Sequence, residues 1–170
     1  MNVILIGLPA SGKSTVGVIL AKVTGRSFID TDLVIQSREG ALLSEIIAAR
    51  GTVGFLSCEE QALLSVSSDN AVIATGGSAV YSARGMEHLK SSGTVVYLRA
   101  SERAILDRLN DIEGRGVVLR DGQTTEDMIS ERLPLYERYA DIIIDEDGMT
   151  VEQTVRQAAA RIKEHERQTI

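Results

Sequence analysis

Residues 7–15 have the sequence GLPASGKST and directly follow the apolar run at residues 3–6. A loop that wraps a polyphosphate turns its backbone N–H groups inward, and glycine tolerates the backbone angles and the close approach that this requires. Gly7 and Gly12 occupy those positions. Lys13 would place a positive charge on the β- and γ-phosphates, and Ser14 would offer a hydroxyl to Mg²⁺. The residues predicted to bind a nucleotide through this loop are Gly7, Ala10, Ser11, Gly12, Lys13, Ser14 and Thr15.

The segments on either side of this loop have the pattern that such a site needs. Residues 2–6 are typical of a short buried strand. Apolar residues then recur at helical spacing until Gly25 offers a C-cap. Because a strand, a glycine loop and a helix follow one another, a nucleotide site is favoured over a chance match.

Four further apolar segments are predicted to be strands, at residues 27–30, 71–74, 94–98 and 142–144. Helical patterns separate them, so strand and helix alternate along the chain. This order predicts an α/β fold in which five parallel strands are flanked by helices on both faces. We expect residues 1–170 to form one domain, since the length is ordinary for one domain and no linker or repeat interrupts it.

Two residues are expected to interrupt helices. Gly51 is predicted to end a short helix that begins near Ser44, before a longer helical pattern over residues 53–65. Pro134 is expected to kink or break the helix that begins at Thr124, because proline lacks a backbone N–H.

The composition argues against two kinds of partner. A net charge of −6 and a pI near 5.0 disfavour a general nucleic-acid or anionic membrane surface. The single Cys58 permits no internal disulfide, and no apolar run approaches the length of a membrane span. We therefore expect a cytoplasmic protein with a small-molecule partner, and the sequence predicts no particular oligomeric state.

Polar residues follow the predicted second and third strands. Asp30 and Asp32 stand at the carboxyl end of the second strand, which is the edge where open α/β sheets bind ligands. The pair would serve Mg²⁺ and a substrate hydroxyl separately. The alternative is that one aspartate is only the N-cap of the next helix. The glycine pair Gly76-Gly77 follows the third strand and would let a ligand approach the backbone, although a tight turn uses the same residues.

Residues 110–123 combine glycines with Arg115 and Arg120 and lack clear periodicity. This composition favours a lid over the site, and a plain polar loop is the alternative. Phosphoryl transfer needs a phosphate cradle, Mg²⁺, an acid near the acceptor and a cation over the transferred group. Lys13 and Ser14 would serve the donor, and Asp30 the hydrated metal. Asp32 would serve the acceptor, and Arg115 the lid.

The chain at this point resembles the shikimate kinase family. The resemblance covers nearly the whole chain, and its specific parts are the aspartate pair and the arginine-x-proline-leucine-tyrosine motif at residues 132–136. The matching residues, in order and approximate spacing, are 7–15, Asp30-Thr31-Asp32, Gly76-Gly77, Arg108, Arg115 and Arg132-Leu133-Pro134-Leu135-Tyr136.

The resemblance implies a three-layer fold of nucleoside-monophosphate-kinase type. It implies that ATP and Mg²⁺ are used to phosphorylate the 3-hydroxyl of shikimate in aromatic amino-acid biosynthesis. It places the acceptor-binding subregion at about residues 31–60. By the same resemblance, Ser14 and Asp30 are the Mg²⁺ residues, Arg108 stacks on adenine and Arg115 contacts the phosphates.

On the acceptor side, the resemblance implies that Asp32 holds the acceptor hydroxyls and is the candidate base. It implies that Arg132 binds the acceptor carboxylate, and that Gly76, Gly77 and Ser78 lie beside the acceptor.

Two departures from the family pattern concern the acceptor, and a third concerns the lid. Leu56 stands where the family has an arginine after phenylalanine, Ser78 replaces the third glycine of a triple, and no proline follows Arg115. Arg84 or Arg50 would be a candidate replacement for the missing cation. The acceptor is therefore predicted to be shikimate or, alternatively, another hydroxy acid, polyol or sugar acid. A nucleotide-binding protein that has lost catalysis is the remaining alternative.

Overall fold

The computed structural model describes residues 1–110 and 117–169. Within them, five strands form one parallel sheet, as predicted. The strands are β1 (Asn2–Ile6), β2 (Ser27–Asp30), β3 (Ala71–Ala74), β4 (Gly93–Arg99) and β5 (Ile142–Asp145), and their order across the sheet is β2-β3-β1-β4-β5. The predicted α/β fold class is confirmed.

Helices cover both faces of the sheet because the strand residues alternate between them. On β1, Val3 and Leu5 enter the core beneath one layer of helices, and Ile4 and Ile6 enter the core on the opposite face. The helices are α1 (Lys13–Thr24), α2 (Thr31–Glu39), α3 (Leu43–Ser65), α4 (Ala83–Ser92), α5 (Glu102–Asn110), α6 (Thr125–Tyr139) and α7 (Val151–Thr169), with a 3₁₀ turn at Ala79–Tyr81.

The register of the three strands β2, β3 and β1 places their carboxyl ends at one edge. Asp30 pairs with Ala74, and Ala74 pairs with Leu5. The Thr75 N–H continues this alignment by donating to the Leu5 carbonyl at 3.1 Å. The loops after all three strands therefore open at the same edge, which is where an open parallel sheet binds its ligand.

Helix α3 consists of two helical segments that meet at Gly51. The backbone angles of Gly51 are φ 65° and ψ 178°, which lie outside the helical region. Glycine is suited to this position because a positive φ costs it little. The predicted break between a short and a longer helix is confirmed.

The expectation that Pro134 breaks its helix is wrong, whereas a kink there stays a prediction. Helix α6 runs through Pro134 to Tyr139 and buries Met128, Ile129 and Tyr136. Proline inside a helix costs about 3 kcal/mol. Burial of a large apolar side chain contributes about 1.5–3 kcal/mol, so the packing of this face outweighs the loss at Pro134.

Within the described part of the chain, no single helix has both the length and the apolar composition of a membrane span. Helices α2 and α3 meet that test only when they are taken together, across a bend of 89°.

Candidate active site

The loop between β1 and α1 has the backbone that its glycines predict. Gly7 has φ 152°, and a Cβ there would lie 2.6 Å from the Leu98 carbonyl oxygen, so no other residue fits without a shift of the backbone. Gly12 has φ 84° and is the N-cap of α1. The loop thus leads directly into the amino end of a twelve-residue helix, whose dipole favours an anion.

Lys13 is the buried cation of this loop. Its Nζ atom donates to the carbonyl oxygens of Gly7 at 2.9 Å and Leu8 at 2.7 Å, and Ser11 Oγ lies 3.3 Å away. Burial lowers the pKa of Lys13 to about 8, while nearby Asp32 acts in the opposite direction. An ammonium group that is buried among neutral oxygens is favourable for binding an anion, because the anion restores the lost solvation.

Ser14 and Asp30 form an oxygen pair beside the loop. The Ser14 hydroxyl donates to Asp30 Oδ2 at 2.6 Å. Asp30 Oδ1 accepts from the Asp32 N–H at 3.0 Å and is the N-cap of α2. Asp30 therefore caps the helix but is not only a cap, because its second oxygen accepts from Ser14.

These two side chains fit a Mg²⁺ ion that is held by few protein oxygens, as it is in phosphoryl-transfer sites. Among the described residues, no group of three His, Cys, Asp or Glu side chains that would hold a metal is present. Mg²⁺ is commonly held by one or two protein oxygens together with phosphate oxygens and water. A hydroxyl and a carboxylate at the edge of a phosphate loop are such a donor set.

Arg108 approaches the same loop from α5. Its Nη1 atom donates to the Ala10 carbonyl at 3.1 Å, and Ala10 has φ 61°. The contact brings a cation to the phosphate loop from another element. Stacking of Arg108 on adenine stays a prediction, and Arg115 lies outside the described residues.

A cavity of about 330 Å³ joins the phosphate loop to the acceptor side. Lys13, Ser14 and Thr15 line one part of it. The acceptor side is lined by Asp32, Phe55, Glu59, Gly76, Ser78 and Arg132. The structure therefore brings most of the predicted donor and acceptor residues to one volume.

The two glycines after β3 are needed for contact with their neighbours. A Cβ on Gly76 would collide with Glu59 Oε1 and lie 2.8 Å from Asp32 Oδ1, and one on Gly77 would lie 2.8 Å from the Pro9 ring. The Gly76 N–H is donated to Thr31 Oγ1 at 3.2 Å. Gly76 thus lets two acidic side chains approach, and its N–H is already used within the protein.

Arg132 is a buried cation rather than a charge on the surface of a helix. Its side chain is 1% exposed and lines the cavity. Nη2 donates to the Val118 carbonyl at 2.7 Å, Nε donates to the Tyr81 hydroxyl at 3.2 Å, and the guanidinium lies 5.0 Å from the centre of the Tyr81 ring. Within residues 1–110 and 117–169 it forms no ion pair.

The predicted substitutes for the missing arginine lie elsewhere. Arg84 is 72% exposed and pairs with Glu60 at 3.2 Å, and Arg50 is 52% exposed and pairs with Glu39. Neither lines the cavity. The hypothesis that one of them supplies the lost cation there is wrong, because each is held by an acid outside the cavity.

The end of the predicted lid, residues 117–123, is held by contacts to two helices. Val118 is 5% exposed and accepts from Arg132, and the Leu119 carbonyl accepts from Thr52 Oγ1 at 2.8 Å. Arg120 forms an ion pair with Glu131. These contacts fix the end of the segment against α3 and α6. The predicted lid residues 111–116 lie outside the described residues.

Sequence reasoning missed Glu59, which is 2% exposed and lines the cavity. A signal was present: Glu59 stands four residues after Phe55 and three before Ala62, so all three share one face of α3. An acid on an otherwise apolar helix face indicates that the acid is buried. Because Glu60 follows directly, the two acids together are also typical of an exposed surface, and Glu59 was not singled out.

Comparisons with known proteins give one answer. The family model for shikimate kinase matches residues 9–163. The chain belongs to the shikimate kinase family. The shikimate kinase of Thermodesulfovibrio yellowstonii is 37% identical over 169 residues, which cover 98% of this chain and 95% of that relative.

Solved shikimate kinases also share the whole architecture. The enzyme of Acinetobacter baumannii in complex with shikimate has a TM-score of 0.82 and 33% identity, and the match covers 99% of this chain and 93% of that one. The shikimate kinase of Aquifex aeolicus has the same TM-score at 30% identity, with 96% of each chain covered. The family resemblance and the P-loop kinase fold that the sequence predicted are therefore confirmed.

Proposed function

We propose that this chain transfers the γ-phosphoryl group of ATP to the 3-hydroxyl of shikimate and releases ADP and 3-phosphoshikimate. The observation that carries the proposal is that Lys13 of the phosphate loop and the buried Arg132 line one cavity. A polyphosphate and a small carboxylate would thus meet in one volume. Membership of the shikimate kinase family supports the same reaction, as does the relative from Acinetobacter baumannii whose structure contains shikimate.

On the donor side, the phosphate loop would bind the β- and γ-phosphates. Lys13 would exchange its contacts with the Gly7 and Leu8 carbonyls for phosphate oxygens, and the amino end of α1 would add its dipole. Arg108 lies at the loop through Ala10 and would contact the nucleotide. Ser14 and Asp30 would hold Mg²⁺, which supplies neutralisation of the phosphate charge when bound.

On the acceptor side, the positive charge of Arg132 and the negative charge of Asp32 would bind different groups of shikimate and so orient it. The guanidinium would bind the carboxylate, and Asp32 would accept the proton of the 3-hydroxyl. As the proton leaves, the hydroxyl oxygen forms a bond to the γ-phosphorus. The bond from that phosphorus to the β–γ bridging oxygen breaks, and its electron pair leaves with ADP.

The test is a coupled assay of ADP release with ATP, Mg²⁺ and shikimate at several concentrations, with the product identified by mass spectrometry. We expect saturable turnover and one phosphoryl group on shikimate. A reaction without acceptor measures background hydrolysis, and Lys13→Met measures turnover without the loop cation. Absence of ADP release above background with shikimate would overturn the proposal.

A second acceptor is favoured by one specific observation. Leu56 replaces the family arginine, and neither Arg50 nor Arg84 lines the cavity in its place. The loss of one charge-assisted contact would cost about 2–4 kcal/mol of acceptor binding. The assay is therefore run beside a panel of hydroxy acids, polyols and sugar acids, and a higher kcat/KM for one of them would assign the site to that acceptor.

A further inference from the structure

Glu146 is a buried acid that directly follows β5, at the same edge of the sheet as the phosphate loop, because β4 and β5 run parallel to β1. It is 6% exposed. Its Oε2 atom has no hydrogen-bond partner within the described residues. Buried side-chain oxygens are nearly always hydrogen-bonded, because they lose their hydration. No step of the proposed reaction uses this oxygen, so it is available to a ligand.

The backbone around Glu146 is fixed against the end of β4. The Glu146 N–H donates to the Arg99 carbonyl at 2.8 Å, and the Glu146 carbonyl accepts from the Met149 N–H at 2.9 Å. Asp147 Oδ1 accepts from the Ser101 N–H at 2.9 Å. These bonds hold the segment without using Glu146 Oε2. An acceptor atom on a segment that is held in this way binds a ligand at a small cost in conformational entropy.

Two cations of the donor site act on Glu146. Burial raises the pKa of Glu146 to about 7, while the charges of Arg108 and Lys13 act in the opposite direction and Asp147 raises the pKa further. Among the described residues, no cation lies close enough to Glu146 to form an ion pair. At pH 8 the carboxyl is therefore mostly ionised and has no direct cationic partner.

The sheet order places Glu146 on the side of the phosphate loop that faces away from the acceptor. The strand order is β2-β3-β1-β4-β5, and the phosphate loop follows β1. The acceptor residues Asp32, Gly76 and Ser78 follow β2 and β3. Glu146 follows β5, which lies two strands, or about 10 Å, from β1 in the other direction. Glu146 and the acceptor residues therefore lie on opposite sides of the loop.

A nucleotide bound to the loop would extend toward Glu146. Its γ-phosphate has to face the acceptor on the β2-β3 side, because transfer needs the reacting groups to be aligned. The ribose and the base then lie toward β4 and β5, the side from which Arg108 reaches the Ala10 carbonyl at 3.1 Å. Phosphates offer only acceptor oxygens, whereas a base amino group and the ribose hydroxyls are donors. The nucleoside is thus the part that Glu146 Oε2 can bind.

We infer that Glu146 recognises the nucleoside of the phosphoryl donor: its Oε2 atom accepts a hydrogen bond from the base amino group or from a ribose hydroxyl. The inference rests on the proposed function, to which it adds a residue that selects the donor. A charge-assisted hydrogen bond of this kind favours a nucleotide that carries the group over one that lacks it. Lys13, by contrast, binds phosphates that all nucleoside triphosphates share.

The test measures nucleotide affinity by calorimetric titration at pH 8, with Mg²⁺ and without an acceptor. The ligands are ADP, 2′-deoxy-ADP, 3′-deoxy-ADP and the diphosphate of purine riboside, which lacks the 6-amino group. We expect the parent to bind one of the three analogues about tenfold more weakly than ADP. In Glu146→Leu this difference should fall below about twofold. The analogue that is affected identifies the group that Glu146 binds.

Asp147→Asn is the matched control. Asp147 is the next residue and is exposed, and asparagine keeps the oxygen that accepts from the Ser101 N–H. Both variants remove one negative charge from the segment, so the general attraction for phosphates changes in both. The difference between ADP and the affected analogue should persist at about tenfold in Asp147→Asn.

A Glu146→Leu protein that keeps the parent's discrimination would overturn the inference. Loss of the discrimination in Asp147→Asn, or equal binding of all four nucleotides by the parent, would do the same. If Glu146→Leu does not fold, Glu146→Gln decides, because it keeps the size of the side chain and removes the charge. A neutral acceptor forms a weaker hydrogen bond, so Glu146→Gln should discriminate by at most about threefold. The full parental difference in that variant would contradict the contact.

The failure of the proposed function has a different signature. The titrations contain no acceptor, so a parent that phosphorylates an acid other than shikimate would overturn the proposed substrate and leave the result for Glu146 standing. A parent that binds none of the four nucleotides would overturn both.

Discussion

Arg132 Nη2 donates a 2.7 Å hydrogen bond to the Val118 carbonyl, and Nε of the same guanidinium donates to the Tyr81 hydroxyl. These contacts fix the buried side chain while it lines the cavity. A guanidinium has five N–H donors in a planar fork, so donors remain for a carboxylate. A buried cation that is held in this way is prepared to bind an anion at little cost in side-chain entropy.

Arg132→Met should raise the acceptor KM by about 30-fold or more, because removal of a buried charge contact costs about 2–5 kcal/mol. The KM for ATP should change by less than about threefold. Steady-state kinetics with each substrate varied in turn measure both. The control is Arg84→Met, since Arg84 is exposed and lies outside the cavity. An unchanged acceptor KM in Arg132→Met would exclude Arg132 from acceptor binding.

Asp32→Asn should reduce the rate of transfer by about 10²-fold or more, while ATP affinity stays nearly unchanged. The amide keeps the size of the carboxylate but does not accept the hydroxyl proton. Single-turnover kinetics measure transfer, and equilibrium titration with ATP measures affinity. Asp32 is not the acceptor base if transfer survives this change.

Glu59→Gln should stabilise the protein above neutral pH. Burial raises the pKa of Glu59 to about 7 from an ordinary 4.5. Between these two pH values the unfolded chain releases the Glu59 proton and the folded protein keeps it. The free energy of unfolding is therefore highest below pH 4.5 with respect to this group, and the stability is lost as the pH rises through 7. Because glutamine does not ionise, its advantage in the free energy of unfolding should grow by about 2–3 kcal/mol between pH 5 and 8.

Urea unfolding of both proteins at the two pH values measures this difference. Burial also raises the pKa of Glu146 to about 7. Glu146 titrates in the parent and in the variant alike, so its effect cancels from the comparison. Glu60→Gln is the matched control and should show no such growth. A constant difference between parent and Glu59→Gln across pH would mean that Glu59 does not titrate in this range.

Leu56→Arg should lower the acceptor KM by about tenfold at pH 8. The new guanidinium would lie one turn from Glu59, neutralise it and add a second cation for the acceptor carboxylate. Val53→Arg is the control, because Val53 lies on the same helix and is 84% exposed. Equal kinetic effects of the two variants would show that only the overall charge matters.

The aspartate pair shows which features follow from the local sequence pattern and which depend on packing. Asp30 and Asp32 were predicted as a pair, but the pattern left open which aspartate caps a helix. The structure shows that Asp30 caps α2 and also bonds Ser14, which is 16 residues away. A contact over that separation depends on how β2 and α1 are placed in the sheet.

The arginines show the same limit more sharply. Arg50, Arg84 and Arg132 each stand in a helical segment, and only the motif at residues 132–136 sets Arg132 apart in the sequence. Burial distinguishes them, and burial depends on which face of each helix packs against the rest of the chain. Arg132 lines the cavity, whereas the other two pair with partly buried acids that lie outside the cavity.

The sequence by itself determined the phosphate loop, the five strands, their parallel arrangement and the break at Gly51. These features depend on short-range properties, namely glycine backbone angles and the period of apolar residues. Only the tertiary structure decided that Glu59 is buried and Glu60 is not, that neither Arg50 nor Arg84 lines the cavity, and that α6 continues through Pro134. Each of those outcomes is set by the summed packing of segments far apart in the chain, which outweighs the preference of any single residue.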